Sequence, residues 1–122
     1  MPNTIEYYLS KGFDRPMAEY FAGGRKKLVQ AVPQRDFTLL LTYDGGEKRV
    51  YDMKPVLEKG GVFSQFGNYD DFKRVYVDDS GSLAWDIDPT IDSNKVWSNK
   101  VDLSPDGVYV DSIPVSEYKA VI

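Results

Sequence analysis

Carboxylates, lysines and tyrosines are the groups this chain offers for proton transfer. Its 122 residues include 19 Asp and Glu, 15 Lys and Arg and 9 Tyr, but neither histidine nor cysteine. Without histidine there is no Ser-His or Cys-His mechanism, and the commonest ligand for zinc, copper and non-haem iron is missing. Without cysteine there is no disulfide, thiolate nucleophile, iron–sulfur cluster or thiolate zinc site. Carboxylate-pair or Schiff-base chemistry remains. The acids do cluster, at Asp70-Asp71, Asp78-Asp79 and Asp86 with Asp88. Neighbouring acids on a strand or turn point apart, however, and a catalytic dyad needs two carboxylates converging in a cleft. Turn formation accounts for Asp78-Asp79. The stretch from Asp86 to Asp92 begins like a calcium loop, but Ile91 and Trp97 stand where that loop needs glycine and a bidentate Glu, and Pro89 obstructs the fourth place. No catalytic residue, metal site or cofactor is expected, and the chain reads as a non-enzyme.

Charge gives a second kind of candidate. Arg25-Lys26-Lys27 is the densest basic run, and Lys48 and Arg49 add to it if the fold brings them to one face. Such a patch could neutralise a few phosphates and give salt-sensitive nucleic-acid binding. It lacks the interleaved aromatics of an RNA platform, and charges at these places also serve to end a helix or protect a sheet edge. Residues 1–54 carry nine Lys and Arg against seven acids, whereas residues 55–122 carry six against twelve. The acidic half suits a basic partner. Phe37, Tyr43, Tyr51, Phe63, Phe72 and Trp85 occupy periodic positions that suit a core. Tyr7, Tyr8, Tyr20, Trp97, Tyr109 and Tyr118 do not, and together on the surface they would mark a protein-binding face.

The elements that must position these residues follow from periodicity and punctuation. A single domain is expected, with a helical arm at 1–24, a sheet core at 25–112 and a tail at 113–122. Asn3 and Glu6 fit a capping box; Ile5, Tyr8 and Leu9 form an apolar stripe that ends at Gly12. Asp14 and Pro16 start a second helix, closed by Gly23-Gly24. This pair invites a helix-turn-helix reading, but its second helix is not basic, and an arm packed on the sheet is the preferred reading. Lys27–Pro33, Phe37–Tyr43 and Glu47–Met53 read as an antiparallel meander, its second turn made by Asp44-Gly45-Gly46. Short turns follow around Leu57, Phe63 and Phe72. Lys73–Asp78 and Ser82–Ile87 read as a further hairpin about Asp79-Ser80-Gly81. Residues 88–107 read as a polar surface excursion with a helical turn at Ser104-Pro105-Asp106, and Val108-Tyr109-Val110 as a last short strand. The fold class is α+β: a mostly antiparallel sheet with short helices on one face and the N-terminal two-helix arm.

No apolar run is long enough to span a bilayer. The opening Met1–Glu6 has no basic run followed by an apolar stretch, so no signal peptide is expected and the cytoplasm is the default compartment. An unpaired sheet edge or the tail could support a homo-oligomer.

One resemblance narrows this reading. The strand pair Phe37–Tyr43 and Glu47–Met53 around Asp44-Gly45-Gly46, then Tyr51-Asp52-Met53-Lys54-Pro55, Gly61-Val62-Phe63, Phe72 before Val75-Tyr76-Val77, and Leu83-Ala84-Trp85 with Asp88 come in a telling order. From about Arg25 to Tyr109 the chain resembles a family of small bacterial proteins, domain-of-unknown-function family twenty-four forty-two. The resemblance implies an α+β domain with a mostly antiparallel sheet and no established catalytic residues. It also implies an antitoxin-like role, with a toxin from a neighbouring gene as the protein partner. The expected function is therefore a non-enzymatic cytoplasmic protein-binding module. The alternative is a small nucleic-acid-binding regulator using Arg25, Lys26, Lys27, Lys48 and Arg49.

Overall fold

Alternation of apolar residues through 28–53 builds the first layer. In the computed structural model, which describes residues 4–118, β1 (Leu28–Pro33), β2 (Thr38–Tyr43) and β3 (Lys48–Asp52) form the antiparallel meander. Gly45 and Gly46 both take positive φ, 83° and 94°, where a side chain would strain the β2–β3 turn. The β1–β2 turn instead places Phe37 at φ 62°. Left-handed backbone there costs roughly 1–2 kcal/mol, offset by packing of the ring 5.1 Å from that of Phe72. Leu39, Leu41, Tyr43 and Tyr51 bury the inner face. A fourth strand, β7 (Ile113–Pro114), pairs with β3 at the sheet edge.

The second layer is a separate three-stranded sheet. Its strands β4 (Tyr76–Val77), β5 (Leu83–Asp86) and β6 (Lys100–Leu103) are antiparallel, with β5 in the middle. Short helices α3 (Lys54–Glu58) and α4 (Tyr69–Phe72), joined by a 3₁₀ stretch at Gly61–Phe66, lie between the sheets in sequence and share one core with them. Trp85 is the centre of that core. Its ring lies 5.6 Å from Phe66, 6.0 Å from Phe63 and 6.4 Å from Phe72, and its indole N–H donates to the Phe72 carbonyl at 2.9 Å. Full burial of a ring such as Phe66 or Phe72 contributes on the order of 2–3 kcal/mol.

The arm consists of α1 (Ile5–Ser10) and α2 (Arg15–Ala22). Thr4 caps α1 by accepting from the Tyr7 amide, and Asp14 caps α2 by accepting from Met17. Asn3, read from sequence as the first cap, lies outside the described residues. Tyr8, Phe13 and Phe21 hold the two helices together, and α2 packs on α5 (Pro105–Asp111). The fold is α+β with antiparallel sheets, as expected, but four local readings change. Val108-Tyr109-Val110 is helical, inside α5, because Pro105 starts a helix whose Val108 is buried in the core. The polar excursion contains β6, whose ladder with β5 overrides a weak local pattern. The strand expected over Lys73–Asp78 pairs only at Tyr76–Val77. Of the segment read as a tail, Ile113–Pro114 completes the first sheet, while 119–122 lie outside the described residues.

Candidate functional site

Residues 87–99 leave the second sheet and return to it, and Asp86 at the exit pairs with Lys100 at the entry. Such a loop needs its own internal bonds to stay ordered. Asn99 supplies them. Buried at the base of the loop, it accepts from the Asp88 amide at 2.9 Å and donates to the carbonyls of Asp88 and Ile91, at 3.0 and 3.2 Å, and to Ser93 Oγ at 3.0 Å. Asp88 and Asp92 each accept from the amide two residues on, Thr90 and Asn94, fixing the two turns. The 3₁₀ turn Trp97–Asn99 then lifts Trp97 away from the body. Trp97 is 83% exposed, and Val96 before it and Ile91 earlier in the loop are exposed to 45% and 39%.

An open cleft of about 650 Å³ runs between this loop and the β4–β5 turn, lined by Asp78, Asp79, Asp86 and Asp92 together with Tyr76, Ile91 and Lys100. Lys100 Nζ donates to Asp78 Oδ2 at 2.8 Å, and Asp78 Oδ1 accepts from the Ser80 and Ser82 amides. Burial pushes the Asp78 carboxyl up, but these hydrogen bonds outweigh it and hold the group down at about 2. Asp86 Oδ1 accepts from Tyr76 Oη at 2.7 Å and from Ser93 Oγ at 2.6 Å. Burial first, and then the bond to Asp86, raise the Tyr76 phenol above its ordinary value. Asp78 stays ionised and Tyr76 stays protonated through neutrality, so neither is a base poised to accept a proton. The cleft is suited to holding a cationic group by charge. Among the described residues no group of three or more acids is arranged to hold a metal ion.

The five basic candidates are divided by the sheet. Leu41 faces Arg49 across the ladder and Thr42 faces Lys48, so Lys48 and Arg49 point to opposite faces. Lys48 is exposed. Arg49 is not: its side chain is 12% exposed, donating from Nε to Ser112 Oγ at 2.6 Å and from Nη2 to the Ser112 carbonyl at 2.8 Å. Its guanidinium also pairs with Glu47 at 3.0 Å and lies 4.2 Å from the Tyr109 ring centre. Arg25, Lys26 and Lys27 do come together, around a shallow depression of about 190 Å³ that also contains Asp106, with Arg25 Nε 3.8 Å from that carboxylate.

The aromatics set aside at the sequence level separate as well. Tyr20 is buried, Tyr109 sits against the rings of Tyr20 and Tyr43, and the Tyr118 hydroxyl donates to Asp36. Tyr7 and Tyr8 belong to the arm. Trp97 alone of the six is presented almost whole to solvent. Sequence flagged it only by residue type; the acidic cleft beside it was visible only as scattered aspartates.

A family model described as a protein of unknown function, DUF2442, matches residues 28–114. The match begins at the first residue of β1 and ends at the last of β7, taking in both sheets, the cleft and Trp97 but not the helical arm. No curated protein and no solved structure matches the chain.

Proposed function

The chain belongs to this family of unknown function, DUF2442, and we propose that it works as a non-enzymatic, cytoplasmic protein-binding module. The observation that carries the reading is Trp97, held exposed on a loop that Asn99 has already ordered. Tryptophan is the residue most enriched among binding hot spots, and a pre-ordered loop loses little conformational freedom when a partner covers it. No described helix is long and apolar enough to cross a membrane. The narrower form of the proposal is antitoxin-like: the partner is the protein encoded by a neighbouring gene, and the domain acts by covering its active surface. The net acidity of residues 55–122 supports a basic partner.

Co-expression with the product of the adjacent gene, followed by affinity capture and a growth assay, tests this. Capture of that protein and relief of any growth arrest it causes are the expected results. No capture and no relief would refute the antitoxin-like role. Oligonucleotide binding that falls steeply with salt would move the function to the nucleic-acid alternative, resting on Arg25, Lys26, Lys27 and Lys48.

A further inference from the structure

Trp97 stands on the same loop as Ile91 and Asp92, which line the acidic cleft. Ile91 is 39% exposed, and its carbonyl accepts from Asn99, which closes the 3₁₀ turn that Trp97 opens. We infer that this surface docks a basic, apolar-containing segment of a partner protein. An aliphatic or aromatic side chain of that segment covers Trp97 and Ile91, and an arginine or lysine head enters the cleft beside Asp79 and Asp92. The inference rests on the protein-binding reading and names the chemistry of the partner.

Charge complementarity selects this occupant. Four aspartates line the cleft against one lysine, and that lysine is already bound to Asp78. Asp79 and Asp92 are exposed, and neither takes part in a salt bridge among the described residues. A cationic head placed there meets carboxylates that no lysine or arginine among the described residues already pairs. The bare indole could equally stack on a nucleobase, but a phosphate chain would have to run past the same carboxylates. An acidic or neutral peptide would cover Trp97 and leave the cleft charges unmatched. The basic peptide satisfies both halves of the surface.

Short labelled peptides provide the test, read by fluorescence anisotropy: one alternating leucine and arginine, one alternating leucine and glutamate, one alternating glycine and arginine. The leucine–arginine peptide is expected to bind at least about tenfold more tightly than either other. Trp97→Ala, and separately Asp79→Asn combined with Asp92→Asn, are each expected to weaken that binding by about tenfold or more. All three residues are exposed, and Asp92→Asn keeps an Oδ1 to accept from the Asn94 amide, so circular dichroism and the melting temperature should stay unchanged and report intact folding. Absence of binding, equal binding of the glutamate peptide, or undiminished binding by the variants would overturn the inference. So would a dimer in sedimentation that Trp97→Ala abolishes, which assigns the face to a second copy, or tighter binding of a single-stranded oligonucleotide. If the neighbouring gene's protein is captured equally by wild type and Trp97→Ala, the protein-binding reading survives and this surface falls.

Discussion

Tyr20 Oη donates to Asp106 Oδ1 at 2.6 Å, joining the helical arm to α5 across 86 residues of sequence. The same hydroxyl accepts from the Lys26 amide at 3.0 Å, and the ring lies 5.0 Å from that of Tyr109. Removing the hydroxyl leaves a backbone N–H and a partly covered carboxylate without their partner. Tyr20→Phe is therefore expected to cost about 1–2 kcal/mol. Hydrogen exchange should rise through α1 and α2 while β2 and β3 keep their protection, since the arm lies outside the two-sheet core. Unchanged exchange in the arm would mean that ring packing alone holds it.

Tyr43 offers the opposite case. Its ring is buried against Tyr109, yet no protein group among the described residues bonds its hydroxyl. Burying an unpaired hydroxyl is costly, and removing it leaves no other group orphaned. Tyr43→Phe should be neutral or stabilising, by up to about 1 kcal/mol. Urea denaturation decides it, and a clear loss of stability would show that the hydroxyl has a partner in solution.

Burial raises the phenols of Tyr20, Tyr43 and Tyr51 above their ordinary value of 10.0. The unfolded chain releases these protons first, so the stability they contribute is complete below pH 10 and drains away as pH rises through the folded values. Each phenol kept protonated costs up to about 1.4 kcal/mol per pH unit in that window. Steep alkaline unfolding is expected, with tyrosinate absorbance appearing together with loss of the fold. Tyr43→Phe should make that loss shallower. Titration of these phenols before unfolding would contradict it.

Asp78 works at the other end of the scale. Its side chain is 6% exposed, and its value of about 2 lies below the 3.8 of a free Asp. Stability from this group is present above pH 3.8 and is lost as pH falls toward 2. Asp78→Asn should cost about 2 kcal/mol at neutral pH and little in strong acid. Parallel stability curves for wild type and variant across that range would refute the assignment.

Local signals made some of these elements legible and left others hidden. The β2–β3 hairpin announces itself because Leu39, Leu41 and Tyr43 alternate with Thr38, Leu40 and Thr42 before two glycines that must take positive φ. Lys100-Val101-Asp102-Leu103 alternates for only four residues inside a polar stretch, and it is the ladder offered by Trp85 and its neighbours on β5 that makes it a strand. Val108-Tyr109-Val110 has the composition of a strand, and only the start at Pro105 and packing of Val108 into the core make it helix. Period-two geometry that the sequence already contained separates two of the basic candidates: Lys48 and Arg49 are neighbours on a strand and point to opposite faces. The two tryptophans do separate in the sequence, Trp85 within the alternating run Ser82–Ile87 and Trp97 within the polar excursion, but how nearly bare Trp97 stands follows from the loop that Asn99 orders.

Asn99 and Trp97 separate the two things the loop must do. Asn99 is buried and hydrogen-bonded to Asp88, Ile91 and Ser93, whereas Trp97 is 83% exposed to solvent. Asn99→Ala strips the turns of their bonds and should cost about 2–4 kcal/mol. Its effect on binding should be as large as that of Trp97→Ala, but for a different reason: the indole is present and no longer held. The two variants then differ in exchange behaviour. In Asn99→Ala the amides of 88–99 should lose protection, and in Trp97→Ala they should keep it. Binding that survives Asn99→Ala with the loop demonstrably loosened would show that Trp97 needs no pre-ordering.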